Sequence, residues 1–391
     1  MSLRELPPEQ SINTSRWRHL RYVPLVVLVI LAAILVPVGY VVGHSEVPVT
    51  PAPEATPTAT TERLPETCHP AVAAPAQEPW QGDSAEASEA TFASHADDLA
   101  QPYVEGQDGW VFWGDVQANN FSQALGRRSL SPDELNQWHT YFATLDAGLK
   151  AEGIPLYVVI APAKWSVYGD ELPAWSQELR GSGPLDQLVA AGSDLPLIDL
   201  RAPLRAAAED TQVYSRLNSH WSDYGALVGW NAIANCITAS SDEFAGLAPL
   251  DASGTTNADF NEFADYGFTN PSPDWTIPTF ETPLQPVSLS RDGSPAEVVD
   301  GDTRIAFADL PATTDLATAQ TDKSLLFVGD SYGVIMSPYL QQSFSHTQQV
   351  RHYLDGDPSI QPDIMTLART LKPDVVILEI TQRHLNFPPA L

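Results

Sequence analysis

Two stretches of this 391-residue chain carry side chains suited to nucleophilic chemistry: Ser324–Phe344, SLLFVGDSYGVIMSPYLQQSF, with Ser331 at its centre, and residues 214–226, YSRLNSHWSDYGA, with His220. The apolar run Leu325–Val328 fits a buried strand, and Gly329 and Gly333 supply the backbone freedom that a sharp strand-to-helix corner needs. Such a corner lifts a serine hydroxyl above the sheet edge. It also sets the serine N–H at a helix N-terminus, where developing negative charge is stabilised. The same letters describe an ordinary turn with Asp330 or Ser331 as helix cap, so a second group is required. His220 is that group. It stands before Trp221 on a loop entering a helix expected to begin at Ser222 or Asp223, a position open to a general base. A hydrogen-bonded structural histidine is the alternative reading. The 111 positions between the two do not matter, because such partners are defined by geometry. No second His or carboxylate stands at an H-x-x-x-H type spacing around His220, so the pattern calls for no metal. Nor does the chemistry need a nucleotide cofactor.

The elements that would position these groups alternate. Ser131 to Glu152 reads as a helix with Ser131 as N-cap, Pro132 in the first position and Glu134 completing a capping box; Gly153 ends it. Leu135, Trp138, Phe142, Leu145 and Leu149 form its buried stripe. Short apolar strands are expected at Pro155–Ala161, Leu195–Leu200, Leu325–Val328 and Val375–Ile380. Lys164 lies on a short helix or turn after the first of them. Strands spaced by helices imply a mainly parallel sheet covered on both faces. Upstream, YVEGQDGWVFWG at 103–114 reads as two strand-like pieces around a Gly109 turn. Between Thr238 and Lys323 the alternation is lost and Gly, Pro, Asp, Ser and Thr dominate. This insertion, 238–323, is expected to hold small strands and hairpins shaping one wall of a cleft.

Before Tyr103 the chain has a different character. Residues 22–42, YVPLVVLVILAAILVPVGYVV, carry no charge and reach about 30 Å as a helix, long enough to cross a bilayer. Arg16, Arg18 and Arg21 precede the run and no Lys or Arg follows until Arg63, which orients residues 1–21 to the cytoplasm and the rest outside. The run is longer than a usual signal-peptide core and lacks a prompt A-x-A site, so an uncleaved single-pass anchor is preferred. Residues 43–100 are rich in Pro, Ala, Thr, Ser and Glu and read as a tether, leaving 101–391 as the folded domain. Cys68 and Cys236 both fall on the extracytoplasmic side, where a disulfide between them can persist; two free thiols are the alternative. With 20 Lys and Arg against 49 Asp and Glu, a net charge of −29 argues against nucleic-acid binding. It also favours a neutral or weakly charged acceptor over a polyanion.

Four motifs, EGQDGWVF at 105–112, PAKWSVYGDELP at 162–173, NSHWSDYGA at 218–226 and VGDSYG at 328–333, resemble in content and order the AlgX/AlgJ-type (alginate O-acetyltransferase) group of SGNH-hydrolase-like proteins. The resemblance covers about Tyr103 to Arg383. It implies a three-layer α/β/α SGNH-hydrolase-like domain, with Ser331 as nucleophile and His220 as base, acting on acetyl esters of an extracellular polysaccharide. It also implies a membrane-bound O-acyltransferase partner that exports acetyl groups. The family's acid is an Asp two positions before the His; this chain has Asn218 there. In a serine-protease triad the equivalent change costs about 10⁴ in kcat. Either the chain works as a Ser–His dyad, or a carboxylate such as Asp223 or Asp330 substitutes, or activity is lost. Lys164 and Tyr168 match a family P-x-K-x-x-x-Y stretch, and Arg383 resembles a late family arginine. With Asp330, Tyr332 and Trp221, they are candidates for substrate contact or for structural support. The resulting expectation is a membrane-anchored O-acetyltransferase. The alternatives are a carbohydrate acetyl esterase with the same site and a catalytically impaired glycan-binding or scaffold protein.

Overall fold

The computed structural model describes residues 50–51, 65–68, 78–192, 194–354 and 360–389. All belong to one compact unit, Val49–Leu391. The expected cytoplasmic tail and membrane anchor, 1–42, lie outside the described residues. Among the described residues no helix is long and apolar enough to cross a membrane.

Eight strands form the main sheet: β1 (Leu156–Ala161), β2 (Leu197–Asp199), β3 (Val287–Arg291), β4 (Glu297–Val299), β5 (Ala312–Asp315), β6 (Thr321–Gly329), β7 (Phe344–Arg351) and β8 (Val375–Thr381). Their spatial order is β2-β1-β8-β6-β7-β5-β3-β4. The first five run parallel and the last three add on antiparallel. Every residue of β1 and β8 is buried, as expected for parallel strands covered on both faces. Side chains of β1, β6 and β8 alternate between two cores. Tyr157, Val159, Phe327, Val375 and Ile377 point into one, and Leu156, Val158, Leu326, Val328, Val376 and Leu378 into the other.

Six helices complete three layers: α1 (Pro132–Ala151), α2 (Pro184–Ala191), α3 (Arg201–Ala208), α4 (Asp223–Ser240), α5 (Ser331–Ser343) and α6 (Ile364–Leu371). Leu204 of α3, Trp230 and Ile233 of α4 and Met336 and Leu340 of α5 fill the first core, while α1, α2 and α6 close the second. The start of α1 is as its sequence predicts. Ser131 Oγ accepts from Glu134 N, Glu134 Oε2 accepts from Ser131 N at 2.8 Å, and Trp138, Phe142, Leu145 and Leu149 are buried. Gly153 follows with φ +77°, a left-handed stop that favours glycine.

Two regions depart from the sequence reading. The insertion does more than wall a cleft: β3, β4 and β5 extend the main sheet, and a separate hairpin, Gly254–Ala258 with Trp275–Thr279, also forms. The tether is also shorter than 43–100. Thr50–Pro51 pairs with the edge of that hairpin, and Pro65–Cys68 is a helical turn joined to α4 by a Cys68–Cys236 disulfide. Residues 78–100 pack on the domain. Trp80 Nε1 donates to the carbonyls of Leu125 and Leu179 at 2.7 and 2.8 Å, and Phe92 is buried in the first core. Those two aromatics outweigh the polar composition around them, because each buries enough apolar surface to offset ordering its neighbours.

Candidate active site

Ser331 is the first residue of α5, one residue beyond the end of β6 at Gly329. Asp330, the N-cap, accepts Tyr332 N–H on Oδ1 at 3.0 Å. The flanking glycines serve close packing and not an unusual backbone, since neither has a positive φ. A Cβ on Gly333 would come within 2.5 Å of the Phe327 ring, and one on Gly329 within 2.9 Å of Glu379 Oε2. Only glycine lets the corner settle onto β6 and β8.

The His220 loop is clamped onto this corner by two reciprocal bonds. Trp221 Nε1 donates to Tyr332 O at 3.1 Å, and Tyr332 Oη donates to Ser219 O at 2.6 Å. Ser222 caps α4, with its Oγ accepting Gly225 N–H at 3.1 Å. Trp221 and Tyr332 are fully buried, so they support the site and do not face a substrate. Lys164 is buried too. Its Nζ donates to Val111 O and Arg216 O at 2.6 and 2.8 Å, and Tyr168 Oη accepts Val213 N–H at 3.0 Å. Both brace the segment that leads to His220. Burial pushes the Lys164 ammonium down to about 7, against the opposing charges of Glu262 and Asp274.

The clamp brings Ser331 Oγ to 2.9 Å from His220 Nε2. On the other side of the ring, Asn218 Oδ1 is 3.1 Å from His220 Nδ1 and accepts His220 N–H at 3.0 Å. Asn218 Nδ2 donates to Phe260 O at 3.0 Å, which fixes the amide with its oxygen toward the imidazole. His220 therefore carries its proton on Nδ1 and offers a free Nε2 lone pair to the serine hydroxyl. Burial, then the Arg383 guanidinium, pushes the imidazolium down to about 4, against the opposing charges of Glu262 and Asp330. The ring is neutral near pH 7, so a proton can pass from Ser331 to it.

Neither carboxylate named as a substitute for the family Asp reaches His220 Nδ1. Asp223 receives Trp275 Nε1 at 2.6 Å and pairs with Arg304. Asp330 accepts from Tyr332 N, Thr381 N, Thr381 Oγ1 and the rings of His352 and His384. Burial raises the Asp330 carboxyl, but the bonds from His352 and His384 outweigh this and hold it well below the carboxylate range. Next to it, burial and the Asp330 charge raise Glu379 well above its ordinary value. Arg383 is buried, with its guanidinium 5.7 Å from the Tyr332 ring centre.

Asp330, His352 and His384 bring three potential metal-ligand atoms within 4.8 Å of one another. Their hydrogen bonds oppose that use. His352 Nδ1 accepts Leu354 N–H at 2.8 Å, so its proton is on Nε2, the atom aimed at Asp330. A metal there would require an imidazolate. The cluster instead anchors the helix cap beneath Ser331.

The sequence reading missed Glu379, His352, His384 and Glu262. Glu262 lies in the insertion, accepting Ser219 N–H on Oε2 at 2.7 Å and Trp113 Nε1–H on Oε1 at 2.9 Å. Burial raises its carboxyl, but the nearby His220 and those two donors bring it below the ordinary value. An acidic residue near the loop was the signal to seek once Asn218 was noticed. Nothing local separates Glu262 from Asp251, Asp259, Asp265 and Asp274 in the same insertion.

Known proteins are similar to this chain in sequence and fold. The family described as "SGNH hydrolase-like domain, acetyltransferase AlgX" matches residues 103–355. A "Probable alginate O-acetylase AlgJ" of Pseudomonas syringae pv. tomato is 28% identical over 249 residues, 61% of this chain and 59% of the relative. Its counterpart in Pseudomonas aeruginosa is 31% identical over 127 residues, 32% of this chain and 30% of that protein. The chain thus spans less than two thirds of either relative's length. Among solved structures, Bacillus cereus PatB1 with a sulfonyl adduct superposes with a TM-score of 0.53 at 18% identity, over 72% of this chain and 94% of that one, a likeness of fold. Because the family match runs through the His220 loop and the Ser331 corner and covers well over half the chain, the protein belongs to the AlgX-type SGNH hydrolase-like family.

Proposed function

We propose that this chain is a membrane-anchored O-acetyltransferase of an extracytoplasmic polysaccharide, working through an acetyl-Ser331 intermediate. The observation that carries the reading is the 2.9 Å contact between Ser331 Oγ and a His220 Nε2 left free by the Asn218 bond. Membership in an acetyltransferase family and similarity to proteins named alginate O-acetylases supply the acyl group and the acceptor class.

Ser331 Oγ attacks the carbonyl carbon of an acetyl donor while its proton passes to His220 Nε2. The carbonyl electrons move to oxygen. Ser331 N–H, a helix-start donor with no intrahelical partner, is available to that oxygen. Collapse expels the donor's alkoxide, which takes the proton from Nε2. A sugar hydroxyl then repeats the steps in reverse, giving its proton to His220 and leaving with the acetyl group. The buried Arg383, Lys164, Trp221 and Tyr332 and the half-buried Tyr168 maintain the geometry and charge in which this happens.

The uncharged run 22–42 with Arg16, Arg18 and Arg21 on its N-terminal side supports a single-pass anchor with the domain outside. An enzyme so placed has no access to cytoplasmic acetyl donors, so a polytopic membrane O-acyltransferase that delivers acetyl groups is the partner proposed. Its net charge of −29 favours a weakly charged acceptor.

The test is intact-mass spectrometry of the full chain in detergent after incubation with an activated acetyl ester. An acetyl group on Ser331 that is absent in Ser331→Ala, and that moves to an added oligosaccharide, is expected. Release as acetate alone would make the chain an esterase. No adduct would leave a binding role.

A further inference from the structure

Asn218 supplies His220 with an oriented oxygen but no charge, whereas the imidazole must become an imidazolium each time Ser331 gives up its proton. A neutral partner stabilises that cation less than a carboxylate does. The charged and titratable groups that act on His220 are Arg383 and His384 after β8, Asp330 at the corner, and Glu262 from the insertion. Arg383 and His384 oppose the cation. Asp330 favours it but is bonded to two other histidines. Glu262 is the carboxylate built against the loop itself: its Oε2 takes Ser219 N–H at 2.7 Å, one residue before His220, and its Oε1 takes the Trp113 indole at 2.9 Å. Glu262 N–H donates to Leu217 O at 2.8 Å, and Phe260 O takes the Asn218 amide at 3.0 Å. The segment 260–262 is therefore stitched to 217–219 at three points.

We propose that Glu262 is the positioning residue that replaces the charge of the family aspartate, stabilising the His220 imidazolium through space while Asn218 fixes the ring's tautomer and direction. The idea rests on the Ser331–His220 reading and deepens it. Negative charge and orientation, which one Asp would provide together, are divided here between a residue of the His loop and a residue of the insertion. In agreement, the charges of Glu262 and His220 favour each other's ionised forms.

The test compares Glu262→Gln and Glu262→Asp in the full chain. Gln keeps an acceptor for Ser219 N–H and has the size of Glu, but carries no charge. With p-nitrophenyl acetate, kcat/KM should fall roughly tenfold or more in the Gln variant. The acid limb of its pH profile should move to lower pH, because a histidine without a nearby anion protonates less readily. The Asp variant should keep most of the wild-type limb. Independently of turnover, the NMR titration midpoint of the His220 ring should drop in Glu262→Gln. A Gln variant that melts like wild type, with limb and midpoint unmoved, would overturn the proposal. So would equal rate losses in both variants with no shift in either, which would make Glu262 purely architectural. If the wild-type chain turns over no ester, the acetyl-transfer reading fails, while the NMR midpoint still decides the role of Glu262.

Discussion

Replacing Asn218 by Asp separates the two things a triad acid does. In a serine protease the reverse change costs about 10⁴ in kcat, largely because the amide leaves the histidine in the wrong tautomer. That part is already repaired here, since Asn218 Nδ2 is held by Phe260 O at 3.0 Å and its oxygen faces His220 Nδ1 at 3.1 Å. What remains to be gained is a charge bonded directly to the ring, in place of one acting through space from Glu262. A carboxylate at hydrogen-bond distance raises a neighbouring cation's pKa by about 1–3 units, or about 1.4–4 kcal/mol at full charge. If the transition state develops about half of that charge, the rate gain is about threefold to thirtyfold. The variant loses the Asn218–Phe260 bond and sets a carboxylate oxygen against a carbonyl, a cost of about 1–3 kcal/mol in stability. The assay is acylation of Ser331 by an activated acetyl ester, followed by mass spectrometry or chromophore release across pH 4–9. Its expected result is faster acylation, an acid limb moved up from near pH 4, and a lower melting temperature. A fall in rate with the limb unmoved would refute the assignment of Asn218 as the oriented partner of His220. A gain of 10³ or more would refute the claim that the tautomer is already correct.

Ser331→Ala should abolish acetylation at that position with little change in melting temperature, because the hydroxyl is only half-buried; circular dichroism melts beside mass spectrometry check both. His220 takes a proton near pH 6.5 when unfolded but only near pH 4 in the fold, so the unfolded state binds more protons between those values and His220's contribution to stability falls as pH drops through that window. A His220→Gln variant should flatten that part of the melting-temperature profile. Glu379 has the opposite sign: its raised pKa means the folded state holds a proton that the unfolded state has released above about pH 4.5, so stability declines as pH rises from there. Glu379→Gln should melt at a higher temperature than wild type at pH 8 and show a shallower decline from pH 5. Removing the Cys68–Cys236 bridge by Cys68→Ser with Cys236→Ala opens a link across 168 residues, which should cost about 3–5 kcal/mol and be visible in a urea titration.

What the sequence disclosed was whatever is encoded within about a dozen neighbouring residues. Ser131, Pro132 and Glu134 announce the start of α1, and Trp138, Phe142, Leu145 and Leu149 are its buried face. The apolar runs LYVVIA of β1 and VVIL at the start of β8 read as interior strands. Ser331 and His220 were legible for the same reason, each standing where a loop turns into a helix. By contrast, β5 is the four residues ATTD, too short and polar to be read as a strand, and it exists because β3 and β7 pair with it on both sides. Trp80 and Phe92 were lost in a polar stretch for a similar reason, since apart from each other their partners include Leu125, Leu179 and Phe121, all beyond residue 120. Thr381 and His384, which hold Asp330, lie 51 and 54 positions from it. No local pattern encodes such contacts.

The two halves of the site are built by different means, and this bears on where the protein can vary. The Ser331 corner is over-determined: two glycines that tolerate no Cβ, a carboxylate with five hydrogen-bond donors and a buried Glu379 that accepts Asp330 N–H leave it little freedom. The His220 loop is held instead by side chains from elsewhere, namely Lys164 from the helical turn after β1, Trp113 through Glu262, and the Phe260 carbonyl. Two of these contacts come from the insertion, a segment the sheet core does not require. On the proposed Ser331–His220 reading, an insertion that touches the His220 loop at Asn218 and Ser219 can alter the basicity of His220 without moving Ser331. Asn218, tolerable only because Phe260 and Glu262 orient and charge its surroundings, is the residue through which that coupling would act.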